Sequence, residues 1–178
     1  MDKNLQKGTQ LRIAITGPES SGKTTLTKKL AEHFDASYVP EYAREYLNNI
    51  NREYDESDLP EIAKGQWWSW NNVKKDKSQL FIADTDMLVI KVWSEYKYGK
   101  THPFIKYLFK KQNFDAFILT KADIPWEEDE LRENPLDRDV LFDMYLKELK
   151  NQSKPFTIVE GEDPERTQKA IDFINSLR

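Results

Sequence analysis

The chain has 178 residues, of which 38% are hydrophobic, 33% charged and 12% aromatic. The length fits one domain, at roughly 100–200 residues per domain, and the aromatic rings, each burying about 150–250 Å², suffice for a sizeable core. With no cysteine, two histidines and a net charge of −4, disulfides, thiolate sites, an ordinary His-based metal site and bulk nucleic-acid binding are set aside.

Residues 1–10 (MDKNLQKGTQ) form a polar leader without the apolar core of a signal peptide. Leu11–Thr16 (LRIAIT) predicts a first strand, and Lys23–Phe34 a helix with its apolar face at Leu26, Leu30, Ala31 and Phe34. Ser37–Pro40 reads as a weak second strand and Glu41–Ile50 as a helix. A long helix, capped by Ser57 or Asp58 with Pro60 in its first turn, is expected to run to about Ser78. Leu80–Ala83 (LFIA) predicts the third strand, followed by helices over Thr85–Tyr96 and His102–Lys111. Asp115–Leu119 predicts the fourth strand. Residues 121–136 read as a lid-like loop, Asp137–Lys150 as a helix, Phe156–Val159 as the fifth strand and Pro164–Leu177 as the closing helix. No apolar run exceeds four residues, whereas a membrane helix needs about 20. Strands alternating with helices imply a parallel sheet covered on both faces. The expectation is a single α/β domain over residues 1–178, cytoplasmic, with neither membrane nor nucleic acid as partner.

Gly17–Thr24 (GPESSGKT) matches G-x-x-x-x-G-K-[ST] without departure, between a predicted strand and a predicted helix. The two glycines let backbone approach an oxyanion closely, and the N–H groups of Glu19, Ser20, Ser21 and Gly22 can then point at phosphates. Lys23 is placed for the β/γ-phosphates, Thr24 for Mg²⁺ and Thr25 for the α-phosphate. The loop therefore predicts ATP or GTP binding. A GTPase-like TKAD follows the fourth strand (Thr120–Asp123). No glycine, however, has Asp three residues before it, so the γ-phosphate switch is missing and TKAD reads as the start of a loop.

Carboxylates follow strands two and three. Asp84 and Asp86 lie where ligands of an open parallel sheet collect, and can hold Mg²⁺ or accept a hydroxyl proton; the alternative is that either caps the next helix. Glu41 and Arg44 share a helix face, flanking an acceptor pocket or forming a surface pair. In the polar segment Ala122–Asp139, Arg132 and Arg138 can neutralise charge on a moving phosphoryl group, and Trp126 is costly to expose. Trp67, Trp68 and Trp70 cannot share one narrow helix face; two read as core or interface, and one can line a pocket.

GPESSGKTTL, VPEYAREYL, FIADTD, KVWSEYKYG and DIPWEEDELR, in this order, resemble the ribosylnicotinamide kinase domain of the NadR type, a P-loop kinase family. The resemblance covers about Leu11 to Val159. It implies a three-layer sandwich with a five-stranded parallel sheet in order 2-3-1-4-5. It also implies transfer of the ATP γ-phosphate to the 5′-hydroxyl of nicotinamide riboside, giving nicotinamide mononucleotide. On this resemblance Gly17–Thr25 bind ATP and Mg²⁺, with Thr24 and Asp84 as metal residues. Glu41, Tyr42, Arg44, Asp84, Asp86 and Trp126 surround the acceptor. Lys23, Asp84 or Glu41, Arg132 and Arg138 carry the chemistry. Some members fuse this domain to an adenylyltransferase; at 178 residues this chain resembles a standalone kinase. Pro40 stands where some members carry a Trp that stacks on the base, and Glu130 where the lid often has Gly. Tyr42, Trp93, Trp126 or a tryptophan of 67–70 are the candidate replacements for that stack. Alternatives are a kinase for another nucleoside or small metabolite and a nucleotide-dependent regulatory ATPase or GTPase module. The aromatic surplus also allows a homodimer.

Overall fold

The computed structural model describes residues 10–73 and 78–178. Five strands form one parallel sheet: β1 (Leu11–Thr16), β2 (Ser37–Val39), β3 (Leu80–Asp84), β4 (Ala116–Thr120) and β5 (Phe156–Val159). Their order is β2-β3-β1-β4-β5, as expected. Ile15 stands opposite Asp84 on one side and Ile118 on the other, so the carboxyl end of β3 lies beside the end of β1, where the phosphate loop begins. Among the described residues seven helices flank the sheet: α1 (Lys23–Phe34), α2 (Tyr42–Asn49), α3 (Asp58–Asn71), α4 (Met87–Tyr98), α5 (Pro103–Lys111), α6 (Arg138–Lys150) and α7 (Glu165–Ser176). None is long and apolar enough to cross a membrane.

Strand side chains alternate between faces, and the two cores follow that period. Ile13, Ile15, Leu80, Ile82, Ala116 and Ile118 pack against Leu26 and Leu30 of α1 and Ile171 and Ile174 of α7. Ala14, Phe81, Ala83, Phe117 and Leu119 face the opposite way, toward α2 to α6. The result is a three-layer sandwich. Every residue of β3 and β4 is buried, as continuous apolar strands between two helical layers require.

Helix boundaries depart from expectation at the end of α3 and at both ends of α4, which closes at Tyr98 rather than Tyr96. α3 stops at Asn71, where Asn72 donates its backbone N–H to the Trp68 carbonyl; part of the predicted extension, residues 74–77, lies outside the described residues, as does leader 1–9. α4 begins at Met87, not Thr85. Thr85 takes φ 92, in the left-handed region that a β-branched residue rarely adopts, and donates its N–H to the Ile15 carbonyl at 3.1 Å. That turn carries the chain off β3 before the helix can start.

Candidate active site

The phosphate loop closes between β1 and α1 as the motif requires. Gly17 has φ 138 and Gly22 φ 79. A Cβ at Gly17 would come within 2.5 Å of Thr120 Oγ1, so both conformation and space demand glycine. Thr120 Oγ1 lies 2.6 Å from Ser21 Oγ and donates to the Thr16 carbonyl at 3.1 Å. The first residue of TKAD is thus a brace for the loop. Its last, Asp123, accepts from Gly161 N–H at 2.7 Å and from Arg166. Arg166, 4% exposed, also donates to the Ser21 carbonyl at 2.6 Å and to the Lys121 carbonyl at 3.0 Å. This guanidinium straps α7 to the phosphate loop and to the root of the lid-like loop.

Lys23 Nζ donates to the Gly17 and Pro18 carbonyls at 2.9 and 2.7 Å. Surrounding protein pushes its pKa down, against the attraction of Glu41, Asp84 and Glu19. Thr24 Oγ1 donates to Asp84 Oδ2 at 2.6 Å. Asp84 is 2% exposed, and its Oδ1 is buried without a hydrogen-bond partner. Burial raises the Asp84 pKa, opposed by Thr24 and Lys23. A hydroxyl, a carboxylate and an orphaned carboxylate oxygen beside a phosphate cradle form the hard-oxygen set that suits Mg²⁺, which takes one or two carboxylates plus phosphates.

A cleft of about 200 Å³ opens above the loop. Gly17, Glu19 to Thr25, Glu41, Arg44 and Arg132 all line it. Glu41 sits at the head of α2, where the surrounding protein raises its pKa against the pull of Lys23. Arg44 does not pair with Glu41; its Nη1 reaches Asp129 Oδ2 at 2.8 Å, tying α2 to the lid-like loop. The wall that α4 and α6 supply is apolar and aromatic, Val89, Trp93 and Tyr96 from α4 and Leu141 and Tyr145 from α6, while the lid-like loop adds Glu127, Glu133 and Asn134.

Five predicted site residues stand off the cleft wall: Asp84, which sits behind Thr24, and Tyr42, Asp86, Trp126 and Arg138. Asp86 is fully buried at the N-cap position of α4 and accepts from Gln112 Nε2 at 3.1 Å, while Gln112 Oε1 accepts from Met87 N–H at 2.9 Å. Burial pushes its carboxyl up to about 6, and the amides of Leu88 and Val89 oppose that rise. Asp86 occupies the N-cap position, but its side chain makes no capping hydrogen bond and is held by Gln112 instead. Tyr42 turns its ring onto α3: a Cβ at Gly65 would lie 1.9 Å from Tyr42 Cε1. Its N–H donates to Gln66 Oε1 at 2.7 Å. Trp126 lies under the Arg138 guanidinium, 5.6 Å from ring centroid to Cζ, with its indole N–H buried and unpartnered. Arg138 donates to the Ser20 and Ile124 carbonyls at 3.0 and 3.1 Å, bracing the loop from outside.

Of the aromatic candidates for the stack, only Trp93 lines this cleft. Trp70 is in the core, Trp67 packs against it, and Trp68 is 65% exposed. Sequence reasoning missed Tyr145, Gln112 and Arg166. The regular helical periodicity of α6 marks Tyr145 as inward-facing, but nothing local aims it at a cleft.

The profile of the AAA domain family matches residues 12–166. Over 174 residues the chain is 32% identical to "Trifunctional NAD biosynthesis/regulator protein NadR" of Escherichia coli (strain K12), covering 93% of this chain and 42% of that protein. The chain thus spans less than half the length of this curated relative. Solved structures of NadR in complex with NAD and AMP-PNP and in complex with NR match with TM-scores of 0.76 and 0.78 at 22% and 21% identity. Each match covers 94% of this chain and about half of the NadR chain, 49% and 50%. The shared fold is that of a P-loop kinase.

Proposed function

From a chain that belongs to the AAA domain family of P-loop NTPases, we propose an ATP-dependent kinase that phosphorylates the 5′-hydroxyl of nicotinamide riboside. The observation that carries this reading is one cleft lined by a phosphate cradle, Thr24 and Glu41, with Asp84 held 2.6 Å behind Thr24. A binding module needs the cradle alone; an acceptor carboxylate within the same cleft is what a transferase adds. The NR-bound structure of NadR shares this fold and supports the choice of acceptor.

The donor binds through the loop N–H groups and Lys23, which draw charge off the phosphates. Thr24 and Asp84 would hold Mg²⁺, which would supply positive charge to the phosphate oxygens. Glu41 takes or orients the proton of the attacking hydroxyl. It faces the cleft, and its raised pKa brings it nearer the working range of a general base, whereas Asp84 Oδ2 is committed to Thr24. Arg132 supplies positive charge from the lid. Trp93 and Tyr96 present rings to the acceptor's base, the task that Pro40 leaves open.

The test is incubation with Mg·ATP and a panel of nucleosides including nicotinamide riboside, following ADP and product mass. ADP formation coupled to nicotinamide mononucleotide is expected. Coupling to a different nucleoside reassigns the acceptor, and ADP formation indifferent to every nucleoside overturns the kinase reading.

A further inference from the structure

A carboxylate inside a loop that wraps phosphates is electrostatically awkward, because like charges a few ångströms apart repel. Glu19 is that carboxylate, the third residue of the loop and part of the cleft lining. Its charge is taken up by the lid. Glu19 Oε1 accepts from the N–H of Glu133 at 3.1 Å and from that of Asn134, and Oε2 accepts from Glu133 N–H at 3.2 Å. Ser20, the next residue, anchors the other end: its Oγ accepts from Glu127 N–H at 3.0 Å. Arg132 lies between the two anchors. Its Nη1 donates to the Glu127 carbonyl at 2.5 Å and reaches Ser20 Oγ at 3.4 Å.

Glu133 is held twice. Its backbone is tied to the phosphate loop, and its side chain to the acceptor wall. Glu133 Oε2 accepts from Tyr54 Oη at 2.6 Å, and Oε1 accepts from Lys97 Nζ at 2.9 Å. Tyr54 Oη in turn accepts from Trp93 Nε1 at 3.0 Å. One lid residue therefore spans both halves of the cleft.

We propose that Glu19 is a positioning residue: its carboxylate latches residues 133–134 of the lid to the phosphate loop and so sets Arg132 beside the phosphates, without its side chain binding the nucleotide. The role deepens the kinase reading of the same cleft and rests on it. A carboxylate suits the task because its two oxygens take several N–H donors at once in charge-assisted bonds. An acid also keeps its distance from phosphate, which leaves the lid as its partner.

The experiment compares Glu19→Ala and Glu19→Gln with the unaltered chain, by amide hydrogen exchange and by kinetics. In Glu19→Ala the amides of 133 and 134 should exchange at least about tenfold faster, with the remainder of the chain unchanged. Its kcat should fall roughly 10–100-fold while the KM for ATP stays within about threefold. Glu19→Gln keeps one acceptor oxygen and should lie between. If Glu19→Ala loses protection throughout, the isosteric Gln variant decides: faster exchange confined to 133–134 upholds the latch, and unchanged exchange there overturns it. A loss expressed wholly in the KM for ATP also overturns it, by making Glu19 a nucleotide ligand. The exchange measurement uses no acceptor, so it stands or falls apart from the choice of nicotinamide riboside.

Discussion

The two sides of the cleft are built by different rules. The donor side is contiguous: Gly17 to Thr25 supply the cradle from one turn and the first residues of one helix, and its shape comes from backbone. The side proposed for the acceptor is assembled from α2, α4, α6 and the lid-like loop, and its shape comes from side chains that meet only after folding. A contiguous site is robust to repacking elsewhere. An assembled site takes its geometry from every element that positions it, and can change specificity without touching the chemistry.

Substitutions can break each side separately. The largest effect is expected from Lys23→Ala, a loss of roughly 10³-fold in kcat with any acceptor, read from single-turnover ADP formation. Substantial residual activity would remove the donor loop from the mechanism. Asp84→Asn should follow, with about 10²-fold lower kcat and ATP affinity nearly kept, measured by kinetics beside calorimetric binding of ATP. Unchanged turnover there would take Asp84 out of the reaction. Trp93→Ala probes the other side: the KM for the acceptor should rise about tenfold while that for ATP holds. An equal rise in both constants would erase the division between the two sides.

Asp86 belongs to neither side, and its effect should be the smallest on turnover and visible in stability. Its carboxyl titrates near 6 in the fold against 3.8 when exposed, so the native state binds the extra proton between those values. Its contribution therefore declines as pH rises through that window and is least favourable above it. Asp86→Asn should remove this decline, at most about 3 kcal/mol, in urea unfolding curves taken from pH 4 to 7. A variant with the same pH dependence as the unaltered chain would place the titration elsewhere.

This contrast also explains what could be read in the sequence. The five strands and seven helices of the described residues are visible there because short apolar runs and period-3.6 patterns are local. The donor loop is legible for the same reason. The start of α4 is not, because Thr85 adopts its left-handed turn against the Ile15 carbonyl, 70 residues away in the chain. Thr120 bracing Ser21 spans 99 residues and Arg166 reaching the Ser21 carbonyl spans 145. Asp86 has its side-chain partner in Gln112, which comes from beyond another helix. Arg44 shares a helix with Glu41, yet its partner is Asp129 in the lid. Residue type and position announced these side chains as candidates; only packing assigned their partners.

Gly65 has a consequence well beyond its helix. In mid-helix a glycine costs about 1 kcal/mol relative to alanine, yet here the missing methyl is the socket for the Tyr42 ring. Tyr42 is the first residue of α2, next to Glu41 and two before Arg44. The seat of Tyr42, and with it the start of the helix that follows Glu41, thus depends on the space that Gly65 leaves open. Any side chain at position 65 would displace the Tyr42 ring, a shim that reaches the proposed acceptor residues without altering one of them.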